Sequence, residues 1–130
     1  MKIKTYIPVI LLLSGIACGK EIATYKTSDP AEYKMKFLPA APVTGDEIKL
    51  IVYDDCNYNI LKEITQTGNS IQIMKQFNSM MMRPCFIQND TLSLGKLSAG
   101  DYIINYRLMD LAFKPPKATV SVYFNLTVAK

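Results

Sequence analysis

From Glu32 onward, apolar and polar residues alternate in short runs separated by turn formers. Successive side chains on a strand point to opposite faces, so a period of two marks a strand with one buried face. Glu47–Asp54 (EIKLIVYD) places Ile48, Leu50 and Val52 together. Ser70–Phe77 sets Ile71, Ile73 and Lys75 against Gln72, Met74 and Gln76. Asp101–Met109 and Thr119–Val128 are long, well-patterned runs, and Glu32–Leu38 and Thr91–Leu94 are shorter ones. Asn57–Thr65 reads as a further strand, although Leu61-Lys62-Glu63 also suits a helix. Pro39, Pro42, Thr44-Gly45-Asp46 and Thr67-Gly68-Asn69 supply the breaks. No long helical period competes. Seven strands in roughly 100 residues predict an all-β domain, a seven-stranded antiparallel sandwich over residues 32–130.

One local motif sharpens that expectation. Leu97-Ser-Ala-Gly100-Asp-Tyr102 looks like a tyrosine corner, in which a tyrosine near the start of a strand bonds back to the preceding turn in immunoglobulin-like sandwiches. Gly100 suits such a turn because it reaches positive φ at little cost.

The first residues follow a different pattern. Lys2 and Lys4 precede an apolar stretch that contains Ile7–Leu13, and Gly15 and Ala17 flank a cleavage bond. This is the layout of an export signal. The apolar part, about a dozen residues at most, is shorter than the roughly 20 that span a bilayer. Gly15-Ile16-Ala17-Cys18 resembles the lipobox of bacterial lipoproteins, which implies lipidation of Cys18 after removal of residues 1–17. The same small residues also fit an ordinary signal-peptidase site. Residues 18–31 are polar, lack a period and read as a tether.

Three cysteines in an exported chain leave one odd. If Cys18 carries lipid, Cys56 and Cys85 remain as a pair, and export favours a disulfide between them. No Cys-x-x-Cys is present to argue for redox catalysis.

Composition narrows the chemistry further. The 130-residue chain has no histidine, which removes Ser-His and Cys-His catalysis and histidine-ligated metal. The net charge of +4 includes Lys2 and Lys4; without them 13 basic residues face 11 acidic ones, a net +2. The remaining basic residues are scattered, so no nucleic-acid footprint is expected.

Several local features ask for a role. Asp54-Asp55-Cys56-Asn57-Tyr58-Asn59 is dense in oxygen donors, and Asp55-x-Asn57-x-Asn59 matches the opening of a calcium loop. Ile60 and Gln66 then stand where an EF-hand needs Gly and Glu, so a polar turn is the expectation. Met80, Met81 and Met82 place soft sulfur near Cys85. In extended chain Met80 and Met82 face opposite to Met81, no histidine assists, and Cys85 is assigned to the bridge. Apolar filling or an adaptable contact surface is therefore expected, with no metal or other cofactor. Phe113, before the stiff Pro115-Pro116 pair, marks another candidate binding loop. Asp90-Thr91-Leu92 resembles an O-glycosylation sequon of some Gram-negative exported proteins, with Thr91 as acceptor. Asn89-x-Thr91 and Asn125-x-Thr127 fit the N-glycan pattern only coincidentally in a bacterial lipoprotein.

Lipobox, tether and the LGKLxAGxYxxxY run together resemble small immunoglobulin-like lipoproteins of Gram-negative bacteria. The resemblance implies an immunoglobulin-like β-sandwich anchored to the outer membrane through lipid, on its periplasmic or surface face, with no single activity attached. Cys85 lies before the fifth strand, so an antibody-type pin between sheets is not implied. The expected function is a non-enzymatic envelope module that binds a protein or glycan or serves structurally. The alternative is a proteinase inhibitor acting through end loops. Candidate contacts are Asp54, Asp55 and Asn57, Met80–Met82, and Phe113.

Overall fold

The computed structural model describes residues 26–56, 61–81 and 85–130. Among the described residues seven strands form two sheets: β1 (Met35–Leu38), β2 (Glu47–Cys56), β3 (Leu61–Thr67), β4 (Ser70–Phe77), β5 (Ile87–Lys96), β6 (Gly100–Asp110) and β7 (Lys117–Val128). The order is β1-β2-β5 in one sheet and β3-β4-β6-β7 in the other. The result is an all-β, sandwich-like fold in which β2, β4 and β6 finish at one end, where Cys56 meets Cys85.

The sheets are not all antiparallel. β4 and β6 run parallel, with Gln72 opposite Asn105 and Phe77 opposite Asp110. The cause lies in the β3–β4 hairpin. β4 turns Ile71, Ile73 and Phe77 inward, and all three are buried. β3 offers only Ile64 on that side, and its whole length is exposed. Burial of apolar area is the main driving force, so the richer strand takes the interior place beside β6 and β3 is left at the edge. A period of two specifies the buried face and is silent about the neighbour's direction.

The core forms where the inner faces meet. Ile48, Leu50, Ile73, Ile104 and Phe124 are wholly buried. Phe37 meets Phe124 edge-on across the sheets, with centroids 6.2 Å apart. The first strand starts at Met35 rather than Glu32, because Asp29 caps a 3-10 turn over Pro30–Tyr33 that ends at Lys34 with φ 57°. Before that turn the Ser28 N–H donates to the Tyr123 carbonyl of β7 at 2.8 Å, so the last residues of the expected tether lie against the sandwich. The fifth strand runs from Ile87 to Lys96, beyond Thr91–Leu94, because its edge position lets polar residues occupy most of its length.

At the end opposite the disulfide, Leu97 and Tyr102 are buried and Gly100 has φ 153°. The Tyr102 hydroxyl donates to the Ser98 carbonyl at 2.7 Å, the bond that a tyrosine corner makes. Replacing Tyr102 by Phe keeps the ring and leaves that carbonyl without its donor. The variant should lose about 1–2 kcal/mol in denaturant unfolding, with the slope unchanged. A loss near zero would show that the bond adds nothing net.

Candidate functional site

Among the described residues, the disulfide end brings together the end of β2 at Cys56, residues 78–81 and 85–86 between β4 and β5, and the 110–117 connection. The Cys56 and Cys85 sulfurs stand at bonding distance, with Cα atoms 5.1 Å apart and a sequence separation of 29. The bridge fastens the 77–87 connection to the end of β2. A second brace comes from Asp110, which is buried. Its Oδ1 accepts the N–H groups of Ser79 and Ala112, each at 3.0 Å. The Leu111 N–H donates to the Phe77 carbonyl at 2.8 Å. Burial works to raise the Asp110 carboxyl; the Ser79 and Ala112 bonds and the Lys117 charge outweigh it and hold it below the usual carboxylate range. Asp110 therefore ties two connections to the same point.

Those braced connections present apolar side chains to solvent. The Asn78 Oδ1 caps the Met80 N–H at 2.9 Å, and the Asn78 carbonyl accepts the Met81 N–H at 3.1 Å. The turn holds Met80 outward at 76% exposure and Met81 at 44%. Phe86 and Ile87, just past the bridge, are 62% and 63% exposed. Phe113 is exposed in the 110–117 connection, and the Lys117 ammonium lies over its ring at 5.2 Å. Met80 and Met81 are thus surface side chains and not core filler, a distinction the sequence left open. Met82 and Asn57 lie outside the described residues, as does Cys18.

Asp54 and Asp55 have parted company. A β-bulge lies between Val52 and Asp55, with Asp54 at φ 53°. The extra residue reverses the alternation of β2, as bulges do. Asp54 is left exposed, 3.6 Å from the equally exposed Lys34 ammonium, while its N–H donates to Asn89 Oδ1 at 3.2 Å. Asp55 turns inward and bonds the Lys75 ammonium through Oδ2. Asp55, expected among loop contacts, is instead an internal strut.

Lys75 is the feature that the sequence reading did not single out. It is wholly buried on the inner face of β4. Asp90 Oδ2 accepts from it at 3.2 Å, and Asp90 Oδ1 from Lys62 at 2.9 Å. Two lysines of the four-stranded sheet thus meet two aspartates of the three-stranded one. Burial disfavours the Lys75 charge; the electrostatics of the Tyr106 hydroxyl and the bonds to Asp55 and Asp90 outweigh this and raise its pKa above the ordinary lysine value. The Asp90 carboxyl is likewise penalised by burial, and its bonds from Lys62 and Lys75 bring it below the ordinary value. The signal was visible, since Lys75 falls on the apolar register of β4.

Thr91 is exposed on β5 opposite Ile51. Its sequon neighbours are taken up by the fold, Asp90 by the lysines and Leu92 by the core. Among the described residues no cluster of three acidic, cysteine or histidine side chains could hold a metal ion. No protein-family model, curated protein or solved structure matches the chain.

Proposed function

We propose that the chain is a lipid-anchored binding module of the bacterial envelope that performs no catalysis and engages a protein partner through the disulfide end. The observation that carries the proposal is the exposure of Met80, Met81, Phe86, Ile87 and Phe113 on connections braced by a disulfide and by Asp110. Exposed apolar side chains gathered at one end favour a contact surface, and methionine and aromatic residues are typical anchors. Bracing lowers the entropy lost on binding. The lipobox-like Cys18 supplies the membrane link, with residues 18–31 as tether. The absence of histidine and the full pairing of the buried Lys75 and Asp110 support a role without chemistry.

The experiment is photo-crosslinking from position 81 in intact envelopes, with wild-type chain and a Met80→Asp/Phe86→Asp variant. Wild-type chain should capture a discrete partner, and the variant should lose at least tenfold of that capture at unchanged thermal stability. The mature chain should begin at an acylated Cys18 by mass spectrometry. Equal capture by the variant refutes the surface, and an unmodified Cys18 refutes the anchor. A second reading, proteinase inhibition, draws on exposed Phe113 at the tip of the β6–β7 hairpin. A protease panel run on the same material separates the two readings.

A further inference from the structure

A second site lies toward the other end of the strands, on the outer face of the four-stranded sheet. Gln72 pairs with Asn105, and Asn105 with Tyr123, so the three form one row across β4, β6 and β7. The next row holds Ser70 beside Ile103. With Thr67, Asn69 and Asp101 these residues line a cleft of about 430 Å³. Small-molecule sites range over roughly 300–1,000 Å³.

The walls are fixed by the fold. The Asn69 side-chain amide donates to the Asp101 carbonyl at 2.7 Å, and the Ile103 N–H donates to the Asn69 carbonyl at 2.9 Å. This seat depends on Gly100, where a Cβ would stand 3.3 Å from the Asn69 amide nitrogen. Thr127 donates to Asp101 Oδ1 at 2.7 Å, and Asn105 donates its amide to the Val122 carbonyl at 3.2 Å. These bonds leave Asp101 Oδ2 and Asn105 Oδ1 as acceptors. Among the described residues the Gln72 amide has no protein partner, so it keeps both donors and its acceptor.

We propose that this cleft binds a neutral carbohydrate. A sugar ring offers hydroxyls that both donate and accept, matching a free amide, two acceptors and the hydroxyls of Ser70 and Thr67. Its C–H face suits the Ile103 side chain and the Tyr123 ring. Rival ligands fit less well. Asp101 is the sole charged residue in the lining, and it disfavours an anion. An apolar ligand would bury the Gln72 amide and Asp101 Oδ2 without a partner, which is costly. A peptide strand is less well served, because β4 and β6 are interior strands and on the edge strand β7 the Tyr123 carbonyl already accepts the Ser28 N–H. The site is distinct from the disulfide end and does not rest on its function.

The test is a titration of the disulfide-intact exported chain with maltose, cellobiose and lactose, followed by NMR. At least one sugar should shift the Gln72 and Asn105 side-chain amides and the Ile103 backbone amide saturably. Gln72→Ala should weaken binding about five- to tenfold, the effect of one or two lost hydrogen bonds, with the melting temperature unmoved. A sialylated lactose should bind more weakly than lactose. The proposal is overturned if no sugar shifts these signals, if shifts centre on Met80 and Phe113 instead, if Gln72→Ala is silent, or if the anionic sugar binds as tightly.

Discussion

Replacing Lys75 by Met should destabilise the domain by about 3–5 kcal/mol, the range found when one partner of a buried ion pair is removed. Methionine matches lysine in length, so the loss will come from charge and not from a cavity. Asp55 would keep no cation, and Asp90 would keep only Lys62. Both carboxylates are mostly covered, with side chains 17% and 16% exposed. A Lys75→Met/Asp55→Leu variant removes both charge and orphan. It should recover part of the loss, giving a coupling of about 1–3 kcal/mol in a double-mutant cycle. A Lys75→Met loss under about 1 kcal/mol would refute the strut, because a surface pair is worth no more than that.

The same cluster sets the expected pH response. Lys75 is raised in the fold, so its contribution is fully present below the unfolded value of 10.5 and is lost as pH climbs through the higher folded value. Asp90 is lowered, so its contribution is present above 3.8 and is lost as pH falls through the lower folded value. Stability should therefore be flat near neutrality and fall at both extremes. Lys75→Met should abolish the Lys75 part of the alkaline fall and also reduce the acid fall, because Asp90 then keeps only Lys62 to lower it.

That a lysine stands on the apolar register of β4 was readable from Ser70–Phe77 alone. What it meets was not. Asp55 faces Lys75 only because the bulge after Val52 reverses the alternation of β2, and Asp54 and Asp55 are chemically alike in the sequence. Asp90 points inward between Asn89 and Thr91 in a strand whose polar residues masked the pattern. The inner faces of β2, β6 and β7 were legible because period-two burial leaves a direct trace in residue type. The parallel β4–β6 pairing left none, since it follows from competition between β3 and β4 for one interior place. The disulfide end was legible as three separate candidate loops. Their convergence depends on strand direction, which only the topology supplies. The cleft at Gln72, Asn105 and Tyr123 was invisible for a related reason, because its residues lie on three strands and meet only through register.

Removing the disulfide with Cys56→Ala/Cys85→Ala should cost about 2–5 kcal/mol, and the effect should be concentrated at the loop-bearing end. A closed loop of 29 positions constrains the unfolded chain by roughly 3–4 kcal/mol in the entropic account. The bridged Cys56 sits at the end of β2, opposite Ile87 at the start of β5, beyond the core residues Ile48, Leu50 and Val52. Those residues do not depend on the bridge for their packing, so the variant should still fold cooperatively. Local opening is a different quantity from global stability, and it is greatest where buried apolar contacts are few. Without the bridge, the turn at Asn78 and the Ser79–Asp110 bond still anchor Ser79–Met81, while Cys85 loses its covalent tie to β2. Hydrogen exchange should therefore accelerate at Met80, Met81, Phe86 and Ile87 well beyond the change at Ile104 or Phe124. Partner capture through Met81 should fall in step, because a loosened surface pays its ordering entropy on binding. Uniform acceleration across the domain would show that the bridge acts only on the unfolded chain. Unchanged capture would show that the partner does not need the end to be braced.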